Sequence, residues 1–314
     1  MELQDIKILA EKIRENVSKV IVDKDHIIDL SLICVITGGH MLLEDVPGTG
    51  KTVFARALAA SIDCNFRRIQ FTPDLLPSDV TGINFFNQKE NNFTFRAGPI
   101  FSNIVLADEI NRATPRTQSA MLECMEERQV TIDGDTKLLS APFLVIATQN
   151  PVEIQGTFPL PEAQLDRFLI KTSIGYPDTK AELNILKRFK EHNPLLELKA
   201  VVSGQDINEA SKIYSRVKVS DDILDYITKI VEASRKHIGA HLGVSPRGSL
   251  ALLKAIQVSA LLKGRSFVTP DDVKAMAVPV LSHRIIAKGL SGENVNAGEK
   301  IINDILAHTA VPLE

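Results

Sequence analysis

The chain has 314 residues, with 36 Lys and Arg against 39 Asp and Glu, a formal charge of −3. That balance supplies no bulk basic field for coating nucleic acid or an anionic membrane, and 44% hydrophobic with 24% charged residues describes a globular rather than a disordered protein. Three scattered cysteines, Cys34, Cys64 and Cys124, exclude a disulfide framework and a Cys-based zinc site.

Domains usually run to about 100–200 residues, so two structural units are expected. The N-terminal MELQDIKILAEKIREN alternates charged and apolar residues at helical spacing, which predicts a helix within residues 1–20. It lacks the basic and apolar regions of a signal peptide. The stretch Leu30 to Leu43 is interrupted by Thr37, Gly38, Gly39 and His40, and falls short of the ~20 apolar residues that span a bilayer. A cytoplasmic, reduced protein with no membrane span is the expectation.

From Gly39 to about Ile174, short apolar runs alternate with helical patterns. The runs are 40–44, 66–71, 103–109, 143–150 and 168–174; helix-like stretches at 52–62 and 116–129 lie between them. Strands alternating with helices predict a parallel sheet covered on both faces. Asp133-Gly134 between QVTI and TKLL predicts a hairpin at about 130–141, just before the fourth run. After Tyr176-Pro177 the apolar spacing becomes helical, at 181–192, 220–237, 249–263 and 271–285. Ser220 and Thr269 are the N-caps this pattern asks for, with Pro270 at a first helical position. The predicted division is an N-terminal helix (1–20), an α/β domain (21–178) and a helical domain (179–314).

The strongest chemical signal is LLEDVPGTGKT, 42–52, where an apolar run exits into a Gly-rich loop that opens a helix. In such a loop Pro47, Gly48, Thr49, Gly50 and Val53 surround the phosphates. The glycines let backbone N–H groups approach, Lys51 neutralises the β and γ oxygens, and Thr52 offers a hydroxyl to Mg²⁺. Asp45 stands where the usual pattern has its first glycine, ahead of the arc that touches phosphate. The second signal is IVLADE, with Asp108 and Glu109 ending an apolar strand. Alone such a pair is a solvated strand end; beside the loop, Asp108 becomes a Mg²⁺ carboxylate and Glu109 the group that polarises water. A third strand ends on an amide, Asn150. Downstream, Arg167 follows a short helix and Arg247 opens a long one; a phosphate-facing arginine is what a charged transition state needs.

The ordered set PGTGKT, ADEINRA, AMLECMEERQVT, ATQNP, GTFPLPEAQLDRF and SPR resembles the MoxR family of AAA+ ATPases, from about Val22 to Ala287. The resemblance implies a P-loop NTPase sheet flanked by helices, an all-helical lid, and ring assembly, usually hexameric, with ATP bound between subunits. It makes Asn150 sensor 1, Arg167 an arginine finger presented to a neighbour, and Arg247 sensor 2, acting in its own site or the neighbour's. Ile21 and Val22 fall where the family covers the adenine ring, and Arg112 is a weaker interface candidate. Residues 72–101 match an insertion in the second helix, read as a short helix and a hairpin turning at 90–92.

The implied activity is Mg²⁺-dependent ATP hydrolysis driving chaperone-like remodelling of a protein partner, often one with a von Willebrand factor A domain. The alternatives are a DNA-acting motor, a magnesium-chelatase-like subunit and a nucleotide-gated scaffold without turnover. Against the motor stand the −3 charge and the lack of a separate nucleic-acid-binding domain; the intact Glu109, Asn150 and Arg167 oppose a dead site. His237 and His241 have metal-compatible spacing but no Glu of HExxH and no third ligand. Four of the thirteen phenylalanines, Phe85, Phe86, Phe93 and Phe95, fall in the insertion. Exposed, they would grip a protein client; inward, they would only pack.

Overall fold

The computed structural model describes residues 1–89, 91–151, 156–288 and 296–312. The chain opens with two helices, α1 (Leu3–Val17) and α2 (Asp25–Thr37). Ile6, Leu9, Ala10, Ile13 and Val17 make one buried stripe on α1. In α2 every residue from Ile27 to Ile36 except Asp29 is buried, so the helix is enclosed on all sides. Its lack of periodicity is why the sequence reads only as a failed membrane span. No described helix is long and apolar enough to cross a membrane.

The sheet elements follow in order: β1 (Met41–Glu44), α3 (Lys51–Ser61), β2 (Phe66–Gln70), α4 (Pro77–Thr81), β3 (Gly82–Asn87) and β4 (Asn92–Ala97). Then come β5 (Ile104–Asp108), α5 (Pro115–Glu127), β6 (Gln129–Ile132), β7 (Asp135–Leu138), β8 (Leu144–Gln149), α6 (Glu162–Leu165) and β9 (Ile170–Thr172). Five strands form one sheet in the order β2-β5-β8-β1-β9, all pairs parallel. Alternate residues leave opposite faces. Ile104, Leu106, Leu144 and Ile146 join the core under α1–α3, while Val105, Ala107, Val145 and Ala147 join the core under α5. Burial on both faces explains why these runs are almost uniformly apolar.

The rest is helical: α7 (Thr179–Phe189), α8 (Gly204–Ile213), α9 (Asp221–Lys236), α10 (Pro246–Leu262), α11 (Pro270–Leu281) and α12 (Ala297–His308). A small antiparallel pair, β10 (Ala240–Leu242) and β11 (Ile286–Ala287), is an addition to the sequence-based expectation. Ser220 and Ser245 cap α9 and α10 through their side chains, and Thr269 with Asp272 forms a capping box on α11. Asp272 is fully buried between Lys263, Arg265 and Thr269. The helices after α7 do not stand apart. α10 packs on α1 and α2, α8 packs on α2, and one hydrophobic cluster runs from that side of the sheet into α9–α12. This packing decides which end of the strands the helical part reaches.

Candidate functional site

β1 ends at Glu44 and the chain loops through 45–50 before α3 begins at Lys51. Gly48 and Gly50 have φ of +85° and +87°. Nothing lies within 4 Å of a Cβ at either, so the backbone conformation, not crowding, calls for glycine. The loop therefore delivers successive N–H groups and the positive end of α3 to one place, an anion-receptive arrangement. Lys51 Nζ donates to the carbonyls of Asp45 and Val46, both at 3.1 Å, which holds the ammonium against the loop. Thr52 is the second residue of α3.

Asp45 turns away from this arc. Its carboxylate accepts from Ser173 Oγ (2.9 Å), Ile174 N (2.6 Å) and Gly175 N (3.0 Å). The residue that departs from the usual loop pattern thus fastens the exit of β9 to the exit of β1. Beside the loop, a cavity of about 200 Å³ is lined by Ile21, Val22, Gly48, Thr49, Gly50 and Val53, closed by Pro177, Ile185 and Phe189. The cavity brings the two N-terminal aliphatics together with the loop, although they are far from it in sequence.

Register sets the carboxylates next to the loop. Gln70 pairs with Asp108 across β2 and β5, and Glu44 with Gln149 across β1 and β8. Asp45 N donates to Gln149 O (3.1 Å), so Asn150 leaves β8 beside the start of the loop. Asp108 is buried and fully engaged: Oδ1 accepts from Thr148 Oγ1 (2.7 Å), and Oδ2 from Arg68 Nε (3.0 Å) and Nη2 (2.6 Å). Glu109 has φ +57° and ψ +50°, a left-handed conformation that costs a non-glycine residue on the order of 1 kcal/mol. The turn is held by Glu109 N on Thr148 Oγ1 (2.8 Å), and Glu109 Oε2 accepts from Gln70 Nε2 (2.7 Å) and Arg112 Nη1 (3.0 Å). Arg112, expected near an interface, pairs within its own chain with Glu109.

Arg167 and Arg247 are elsewhere. Arg167 precedes β9, whose Ile170 pairs with Met41 at the start of β1. It therefore lies at the opposite end of the strands from the loop, separated by a four-residue strand of roughly 13 Å. Arg247, on the first turn of α10, shares a 300 Å³ cavity there with Arg167, Glu126 and Gly39. Glu126 bridges the two: Oε2 to Arg167 Nε at 3.1 Å and Oε1 to Arg247. Arg284 is buried behind them. It binds the Asp166 carboxylate, the Asp166 carbonyl (2.9 Å) and the Phe168 carbonyl (2.7 Å), fixing the segment that carries Arg167.

At residues 72–101 the structure has α4 and the β3–β4 hairpin; residue 90, in the expected turn, lies outside the described residues. Phe85, Phe86 and Phe93 are exposed, Phe93 at 68%. Phe86 and Phe93 meet edge to face, as do Phe95 and Phe101. The second hairpin, β6–β7, turns at Asp133-Gly134 and touches the first: Asn84 Nδ2 donates to Asp133 Oδ2 (2.9 Å), and Lys137 Nζ stands 4.7 Å from the centre of the Phe95 ring. His237 is the C-cap of α9 and His241 lies in β10, so they share no helix face. Among the described residues no three His, Cys, Asp or Glu side chains gather as a metal cage. All three cysteines are free thiols, Cys34 and Cys124 buried.

Four positions that the sequence did not single out prove central to this geometry. Thr148 orients both Asp108 and Glu109, Arg68 and Gln70 hold one carboxylate each, and Arg284 anchors the arginine end. Their only trace in sequence is polarity inside otherwise apolar runs. Residues 40–170 match the family described as "ATPase family associated with various cellular activities (AAA)", and residues 232–305 match the AAA lid domain. The chain is 49% identical to the uncharacterized protein YeaC of Bacillus subtilis, covering 99% of this chain and 97% of that one. It is 39% identical to the chaperone MoxR1 of Mycobacterium tuberculosis, over 94% and 80%. A crystal structure from Cytophaga hutchinsonii superposes with a TM-score of 0.92 at 39% identity, covering 99% and 97%.

Proposed function

Since the chain belongs to the MoxR family of AAA+ ATPases, we propose that it hydrolyses ATP with Mg²⁺ between copies of itself and uses the cycle to remodel a protein partner. The copies are arranged head to tail in a ring, hexameric as the family resemblance implies. In this reading Lys51 and the backbone N–H groups of Gly48–Val53 bind the phosphates, Pro47 shapes the entry to the loop, and Ile21 and Val22 cover the base. The hydroxyl of Thr52 and the carboxylate of Asp108 are hard oxygen donors that fit Mg²⁺; they would hold it, and the ion would neutralise charge on the β and γ oxygens. Glu109 accepts a proton from the attacking water, which Asn150 helps to orient. A cytoplasmic setting belongs to the same reading.

One observation carries it: the two arginines sit together on Glu126, at the end of the strands opposite Lys51, Asp108 and Glu109. Side chains held there lie a strand's length from the phosphate loop of their own chain, which supports their action on that of an adjacent copy. The same geometry favours Arg247 acting in the neighbour's site. The exposed Phe85, Phe86 and Phe93 support a protein client, since open aromatics anchor protein surfaces.

The test mixes two variants. Arg167→Ala keeps an intact phosphate loop and Lys51→Ala an intact arginine, so each alone should lose on the order of 10³-fold in turnover. Mixed, they should recover a measurable share, because a Lys51→Ala copy presents Arg167 to its neighbour. No recovery in rings shown to contain both chains would sink the trans reading. Glu109→Gln should bind ATP yet barely turn over; undiminished hydrolysis would remove Glu109 as the base. Co-purification of a von Willebrand factor A domain protein with this variant, dependent on ATP, would identify the client class.

A further inference from the structure

The carboxylate assigned to the metal already holds a cation. Arg68 places Nε and Nη2 at 3.0 and 2.6 Å from Asp108 Oδ2, while Thr148 occupies Oδ1. Resting on the reading of Asp108 as a Mg²⁺ ligand, we infer that Arg68 is a built-in competitor for Asp108 that sets how much Mg²⁺ the nucleotide site requires.

Three observations carry this. β2 is an edge strand and Arg68 pairs with Leu106, two residues before Asp108, so Arg68 and Asp108 leave the same face of the sheet. Of the two side chains, the arginine is 47% exposed and the aspartate 12%; the arginine is the partner with room to move. Finally, a guanidinium in contact with a carboxylate oxygen repels a dication approaching the same oxygen, and burial of Asp108 limits screening by salt. Arg68 also reaches Gln70, whose amide donates to Glu109. Arg68 Nη2 thus touches both Asp108 and the side chain that holds Glu109.

The experiment measures binding of a fluorescent ATP analogue during a MgCl₂ titration, in a Glu109→Gln background where turnover does not interfere. Arg68→Gln should lower the Mg²⁺ midpoint on the order of tenfold, with Mg²⁺-free affinity unchanged. Arg68→Lys, which keeps the charge, should stay near the parent midpoint. Arg68→Met serves as a second neutral variant if Arg68→Gln folds poorly by thermal melting. An unchanged or raised midpoint in a folded neutral variant overturns the inference; a fall in Mg²⁺-free affinity would make Arg68 a phosphate ligand instead and overturn it too. Asp108→Asn separates the two levels. If it abolishes the Mg²⁺-dependent gain while the neutral variants leave the midpoint in place, only the role of Arg68 fails. If it keeps the gain, the metal assignment of Asp108 fails and takes the inference with it.

Discussion

At the scale of single residues, the outcome turns on what each side chain faces. Asp45 looks in sequence like a defect in a phosphate loop, a carboxylate beside an anion. In the folded chain it is buried and accepts three hydrogen bonds from Ser173, Ile174 and Gly175. Asp45→Ala should therefore cost on the order of 3 kcal/mol, through unpaired buried donors, read as a lower urea midpoint. A midpoint equal to the parent's would show that the linkage is slack. His40 makes a similar point. It is buried, Val145 N donates to its Nδ1 (3.0 Å), and its Nε2 faces the Met125 carbonyl (3.0 Å). Burial, then the nearby Arg128 charge, push its pKa down to about 3. The unfolded chain thus binds a proton that the folded one refuses, so stability drains away as pH falls from about 6.5 towards 3. A urea midpoint that holds between pH 7 and pH 4 in the wild type, relative to His40→Gln, would contradict this.

At the scale of elements, the informative features are those that tie one segment to another. Burial alone would raise the Asp272 carboxyl, but hydrogen bonds from Arg265, Lys263 and the Thr269 amide outweigh it and bring the pKa to about 2. Its contribution is complete above the usual carboxylate range and is lost as pH falls towards 2. Asp272→Asn, which breaks the ion cluster and the α11 capping box together, should cost on the order of 3 kcal/mol at neutral pH. Glu126, near the end of α5, is the link between Arg167 and Arg247. Glu126→Ala should leave nucleotide affinity intact while lowering turnover of the assembled protein about 10-fold or more, the usual penalty for a misplaced charge in a transition state. Equal turnover would mean that the arginines are ordered without it. The hairpin elements behave differently: Asp133-Gly134 announces the β6–β7 turn, whereas the exposure of Phe93 depends on what the β3–β4 hairpin lacks as a cover.

At the scale of the molecule, the proposed function needs two halves of a site from different copies, and one chain carries candidates for both at opposite ends of its strands. Turnover per chain should accordingly rise with protein concentration until assembly is complete, measured by hydrolysis rate across a dilution series alongside light scattering. A rate per chain independent of concentration, through a range where the assembly dissociates, would contradict a shared site. The arrangement arises because α10 packs on α1 and α2 rather than over the phosphate loop. A run of apolar residues such as 249–263 signals a buried helix but not which neighbour buries it.

The sheet, the phosphate loop and the carboxylate strand were legible in the sequence because each is a local pattern. Apolar runs of strand length, two glycines ahead of a Lys-Thr, and an acidic pair at a strand end all reflect constraints within a few residues. α2 escaped because a helix buried on all sides has no periodicity to detect, and Thr148, Arg68 and Gln70 because polar residues near a strand end have no meaning until the register is known. Parallel pairing of β2, β5, β8 and β1 aligned them on Asp108 and Glu109. Only the tertiary structure decided that Asp45 points away from the loop and that Arg167 and Arg247 converge on Glu126. Both follow from contacts between segments 41 to 130 residues apart, which spacing along the chain does not encode.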